Sequence, residues 1–321
     1  MAKPTVFFIV GATATGKTAA AVDIALKVGG EVISADAIQI YRGLDKGSAK
    51  PDSEEMKGVP HHFIDIVDYT CDDYNAARFS ADALKCIEEI IRRGRVPIVA
   101  GGTGLYVNSL VYPLNFTAVK PNELLRAALI ADEEASPGTL YERLRMLDAD
   151  AAARLHPNDT KRIVRALEVC LTTGTSLTAQ AGDFLNTRNT QISIRPIMAG
   201  ITMDRALLYQ RINRRVDIML ENGLVDEAKR LYDACGSRDI HSMQAIGYKQ
   251  LIAWFEGECT YEEAVEAIKR ETRRFAKRQI AWFKRDDRIR WFDALEYDTP
   301  AKLYDAMYDY FVKETANGGE A

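Results

Sequence analysis

Short apolar runs alternate with longer stretches of helical spacing along this chain. Residues 6–10 (Val-Phe-Phe-Ile-Val), 31–35 and 96–100 (Val-Pro-Ile-Val-Ala) read as strands, and residues 19–27 as an Ala-rich amphipathic helix between the first two. Residues 122–135 and 139–147 read as two helices joined by Ser136-Pro137-Gly138. A third helix, capped by Asn158 or Asp159, ends near Gly174, and residues 191–197 return to strand. Residues 208–217 and the segment from Lys269 onward carry further helical patterns. The order predicts a parallel α/β core built from residues 1–114 and 190–315, with an all-helical insertion over 115–189 and a disordered tail over 316–321.

The first strand runs into Gly11-Ala12-Thr13-Ala14-Thr15-Gly16-Lys17-Thr18, which has the spacing of a phosphate-binding P-loop and makes the core P-loop NTPase-like. Glycines let successive backbone N–H groups converge on phosphate oxygens, and the helix that starts there adds its positive dipole end. Lys17 supplies a mobile charge and Thr18 a magnesium ligand. The loop alone does not say whether the phosphate belongs to a nucleotide or to another diphosphate.

A nucleotide-hydrolysing motor would carry a later apolar strand ending in an acid that organises magnesium and water. Here the strand at 96–100 ends in Gly101-Gly102-Thr103-Gly104, small residues that leave room for a substrate. The acid comes earlier, in Ser34-Ala35-Asp36-Ala37-Ile38-Gln39-Ile40-Tyr41, at the end of the strand over 31–35. Strand ends of an open α/β sheet face the ligand crevice. A lone Asp there would be a turn cap, but beside a P-loop strand Asp36 reads as functional.

These motifs resemble those of the tRNA dimethylallyltransferases, P-loop proteins of kinase-like fold. The resemblance extends through Arg42-Gly43-Leu44-Asp45, Gly101 to Tyr106, Asn158 to Val169, Ala245-Ile246-Gly247-Tyr248-Lys249 and Arg278-Gln279-Ile280-Ala281-Trp282-Phe283, in the family's order over nearly the whole chain. One departure is Ala37, where the family usually has Ser or a similar residue.

The resemblance implies transfer of a dimethylallyl group from dimethylallyl diphosphate to the N6 amine of the adenosine immediately 3′ of the anticodon, releasing diphosphate. The P-loop, residues Gly11 to Thr18, would then hold an isoprenoid diphosphate, with Lys17 and magnesium neutralising the leaving group. An adenine amine is a weak nucleophile, so a carboxylate that takes its proton helps, and Asp36 matches that role. Arg211, one of three arginines in residues 208–217, matches the family's diphosphate-contacting arginine, whereas Arg214 reads as part of a solvated face. Asp36, Ala37, Ile38 and Gln39 would read the flipped adenine, with Thr103 beside them. The tRNA contacts implied elsewhere are Arg126, Lys161, Arg162, Ile163, Val164, Arg165, Gly247, Tyr248, Lys249, Lys277, Arg278 and Gln279, grasping the anticodon stem-loop.

A net charge of −4 over 321 residues is unusual for an RNA-binding protein, but position matters more than total. Arg270, Arg273, Arg274, Lys277 and Arg278 form one helical stripe, while Ile268, Thr272, Phe275, Gln279 and Trp282 recur on another face. Pairing with Glu262, Glu263, Glu266 and Glu271 accounts for a few of these cations but not for all. No apolar run is long enough to span a bilayer and no leader follows Met1, so a cytoplasmic protein is expected. The lack of a long heptad pattern predicts a monomer without an obligate protein partner, and the lack of a zinc finger after Trp291 points to the bacterial type of the family it resembles. Five cysteines without metal-type spacing read as reduced thiols, and no structural zinc is expected.

Two rival functions share the P-loop. An adenylate dimethylallyltransferase would take a free nucleotide and would have no use for the cations at 161–165 and 270–278. A small-molecule kinase explains Lys17 and Thr18 but leaves residues 36–39 and the basic stripe without work. A non-catalytic RNA-binding protein would have no use for a complete P-loop.

Overall fold

The computed structural model describes residues 3–71, 73–112, 119, 122–176 and 192–317. The chain divides into two compact units, Met1–Val111 with Ser193–Ala321, and Tyr112–Ile192.

In the first unit the strands are β1 (Thr5–Gly11), β2 (Gly30–Ser34), β3 (His61–His62), β4 (Val96–Gly101), β5 (Arg195–Thr202) and β6 (Ile289–Asp293). They form one parallel sheet in the order β3-β2-β4-β1-β5-β6. β1 lies between β4 and β5, and Val6 to Val10 are wholly buried, as a strand covered on both faces requires. Helix α1 (Lys17–Val28) follows the P-loop and turns Ala20, Ala21, Ile24 and Ala25 to the sheet.

The remaining helices of this unit are α2 (Ser53–Met56), α3 (Ala76–Arg92), α4 (Gly104–Val111), α9 (Arg205–Glu221), α10 (Leu224–Cys235), α11 (Tyr248–Phe255), α12 (Tyr261–Phe283) and α13 (Pro300–Asn317). α13 packs on the same face as α1: Phe311 stacks on Phe7 at 4.5 Å, and burial of a ring of this size stabilises by about 2–3 kcal/mol. Ala316 and Asn317, expected in a disordered tail, complete this helix, and residues 318–321 lie outside the described residues. α9 and α12 support the P-loop, because Leu208, Ile212 and Ala276 pack with Ala12 and Ala14.

The second unit contains α5 (Glu123–Ala135), α6 (Thr139–Leu147), α7 (Ala149–Arg154) and α8 (Thr160–Thr173) around Leu129, Leu140, Leu144, Ile163 and Leu167. Asn122 caps α5 and Asp159 caps α8 through their side-chain oxygens, and Gly174 ends α8 in the left-handed conformation. The expected boundaries, between residues 114 and 115 and between 189 and 190, lie outside the described residues. Among the described residues no helix is long and apolar enough to cross a membrane, and all five cysteines are free.

Candidate active site

The strand order brings three sequence-distant motifs together. β2, β4 and β1 are neighbours, so residues 35–39, 101–103 and 11–18 leave the sheet side by side at its C-terminal edge. In the P-loop, Gly16 precedes α1 with φ +96°, a backbone shape that a side chain would strain. Ala14 also has positive φ, at +64°. Thr15 Oγ1 donates to the Ala12 carbonyl at 2.9 Å, and Lys17 Nζ donates to the same oxygen at 2.6 Å. Burial pushes the Lys17 ammonium down to about 7; the nearby Arg215 guanidinium acts in the same direction and the Asp36 carboxylate opposes both.

Asp36 is both a turn cap and a cleft residue. Its Oδ1 accepts the N–H groups of Ile38 at 2.9 Å and Gln39 at 3.3 Å, while Oδ2 has no hydrogen-bond partner among the described residues. The Gln39 carboxamide is held locally: Oε1 accepts from Ser34 Oγ at 2.8 Å, and Nε2 donates to the carbonyls of Ser48 and Ala49 at 3.4 and 3.3 Å. Thr103 stitches the two strand ends. Its N–H donates to the Ala35 carbonyl at 3.1 Å and its Oγ1 accepts from the Ala37 N–H at 3.0 Å.

These segments line a cleft of about 730 Å³ whose walls include Lys17, Thr18, Asp36, Gln39, Gly102 and Arg215. Arg215 is half-buried, has no hydrogen bond or ion pair among the described residues, and has its pKa lowered chiefly by burial. A desolvated, unpaired guanidinium is costly and marks a place where an anion belongs. Arg211, the arginine singled out from the sequence, is exposed one turn earlier and does not line the cleft, although its charge reaches Arg215 and Tyr304. Helical phase could not choose between the two, because both flank the buried stripe of Leu208, Ile212 and Val216 at a spacing of three. Arg214 is exposed as well.

Several residues implied as tRNA contacts also make contacts within the protein. Tyr248 is 0% exposed and its hydroxyl donates to Glu227 at 2.6 Å. Gln279 is buried between the P-loop and Gly102. Ile163 and Val164 lie in the core of the helical unit. The guanidiniums of Arg126 and Arg165 bind the wholly buried Glu168, which also accepts the Asn122 N–H. Burial works against the Glu168 charge, but these donors outweigh it and hold the carboxyl below its usual range. Gly247 is buried at the start of α11 with φ +102°. Lys161, Arg162, Lys249, Lys277 and Arg278 have exposed side chains, Arg162 near Asp159 and Arg278 over the Phe275 ring. In the α12 stripe, Arg270 and Arg274 share Glu271, Arg273 donates to Asn213, and Lys269 pairs with Asp217.

The chain is similar over nearly its whole length to proteins of known name. A tRNA dimethylallyltransferase of Halalkalibacterium halodurans is 45% identical over 296 residues, 92% of this chain and 93% of that protein. That of Bacillus subtilis is 42% identical over 292 residues, 91% of each chain. The crystal structure of a tRNA isopentenylpyrophosphate transferase from Bacillus halodurans superposes with a TM-score of 0.74 at 41% identity, covering 99% of both chains. A eukaryotic dimethylallyltransferase acting on tRNA superposes with a TM-score of 0.79 at 28% identity, over 97% of this chain and 80% of that one. The family profile described as IPP transferase matches residues 39–286, and on that match and these identities the chain belongs to the IPP transferase family.

Proposed function

We infer that this protein is a tRNA dimethylallyltransferase, moving the dimethylallyl group of dimethylallyl diphosphate to the N6 amine of the adenosine 3′ of the anticodon. The observation that carries the reading is the composition of one cleft: a P-loop with Lys17, and the Arg215 guanidinium and Asp36 Oδ2, neither of which has a hydrogen-bond partner among the described residues. The cations suit a diphosphate, and the carboxylate oxygen suits an amine that must lose a proton as it attacks. In the transfer the C1–O bond of the isoprenoid breaks, the N6–C1 bond forms, diphosphate leaves, and the amine proton passes to Asp36.

Lys17 and Arg215 offset the charge that develops on the departing diphosphate. Thr18 would hold a magnesium ion, which would supply further positive charge to the departing diphosphate. Exposed Lys161, Arg162, Lys249, Lys277 and Arg278 supply positive charge for an RNA backbone. Such an enzyme works in the cytoplasm, where its substrate tRNA is found.

The test supplies labelled dimethylallyl diphosphate and magnesium in parallel with an unmodified tRNA bearing an A-rich anticodon loop, and with AMP or ATP. Label in the tRNA alone is the expected result. Label in the free nucleotide would assign an adenylate dimethylallyltransferase instead, and label in neither would overturn the prenyl-transfer reading.

A further inference from the structure

Gln279 joins the two halves of the cleft through one carboxamide. It lies on α12, 5% exposed, between the buried Ala276 and Phe283. Its Oε1 accepts the Thr13 N–H of the P-loop at 2.8 Å, and its Nε2 donates to the Gly102 carbonyl at 2.9 Å. Thr13 and Gly102 follow β1 and β4, neighbours in the sheet. The fit leaves no slack: a Cβ at Gly102 would stand 2.2 Å from Nε2.

The connection continues to the acid. Thr103, next to Gly102, binds the backbone of Ala35 and of Ala37 on either side of Asp36. A chain of hydrogen bonds therefore runs from the phosphate loop through Gln279 and Thr103 to the turn that holds Asp36. A carboxamide offers an acceptor oxygen and a donor nitrogen side by side without any change of protonation.

We propose that Gln279 is a positioning residue for prenyl transfer, setting the separation between the loop that holds the diphosphate and the segment that holds the acceptor amine. In this role it acts through its bonds to Thr13 and Gly102. This rests on the prenyltransferase reading, in which the attacking nitrogen and the isoprenoid carbon are held on opposite sides of this bridge. Misplacement of reacting groups by about 1 Å costs on the order of 100-fold in rate even when both remain bound.

The experiment compares wild type with Gln279→Met, which keeps the side-chain length but neither hydrogen bond, in steady-state transfer of labelled dimethylallyl to tRNA. The expected result is a kcat lower by roughly 30- to 100-fold with both KM values within about threefold of wild type. Inorganic pyrophosphate, titrated as a probe of the loop, should bind the variant as it binds wild type. If Gln279→Met does not fold, Gln279→Asn, which keeps both polar groups one carbon short, should show the same fall in kcat of roughly tenfold or more. A folded variant with wild-type kcat overturns the assignment, as does a rise in the diphosphate KM with kcat unchanged, which would make Gln279 part of the diphosphate site. Wild-type protein that fails to label tRNA overturns the prenyltransferase reading and this one together, whereas active wild type with equally active variants overturns only the role of Gln279.

Discussion

The Tyr248 hydroxyl donates to the Glu227 carboxylate at 2.6 Å, and the two side chains are 0% and 7% exposed. The same carboxylate accepts the N–H groups of Asp45, Lys46 and Gly47, which fastens the loop whose next two carbonyls, Ser48 and Ala49, hold Gln39. Glu227→Ala leaves those donors without an acceptor and should lower the unfolding free energy by about 3 kcal/mol, while Tyr248→Phe should cost about 1 kcal/mol. Urea titrations of the three proteins measure both differences; equal losses would mean that the loop amides contribute nothing.

Asp36→Asn keeps the turn, since an amide oxygen can still accept from Ile38 and Gln39. It removes the base. Single-turnover transfer to tRNA should slow by roughly 100- to 10,000-fold, with the diphosphate KM little changed. An unchanged rate would remove Asp36 from proton transfer.

Arg215→Met should raise the diphosphate KM by about 10- to 100-fold, the worth of one or two charge-assisted hydrogen bonds. Because the guanidinium is desolvated and has no partner among the described residues, the same change should leave thermal stability equal or higher. Kinetics and a melting curve on the same preparation check both halves. A variant that melts earlier would show that Arg215 serves the fold.

Lys17 makes binding depend on pH. Its ammonium is pushed down to about 7 by burial and by Arg215, against an ordinary 10.5. With the folded value below the unfolded one, the unfolded chain holds more protons between about pH 7 and 10.5, so this group's contribution makes stability rise with pH across that window. A bound diphosphate favours the charged form, so binding at pH 8 should take up a proton. Calorimetry in two buffers of different ionisation enthalpy measures the uptake; none at pH 8 would mean that Lys17 is already charged.

The local part of this protein is written in its sequence. The apolar runs at 6–10, 31–35 and 96–100 became β1, β2 and β4, and the helices at 122–135 and 139–147 begin and end within a residue of their capping signals, because periodicity and caps act over a few neighbours. The P-loop was legible for the same reason: its chemistry lies in eight consecutive residues. Tertiary structure alone decided that β4 enters between β2 and β1, which puts Gly102 beside both the loop and Asp36. It also decided which polar residues are covered. Tyr248, Gln279 and Arg165 have the composition of surface contacts, and each is claimed by a partner: Glu227 21 residues away, Thr13 266 residues away, and Glu168 on the next turn. A helix face can be read from spacing, but what covers it cannot, since burial is a property of the neighbour. Arg215 rather than Arg211 lines the cleft for that reason, as the two share one helical stripe and only the packing of α9 against the P-loop separates them.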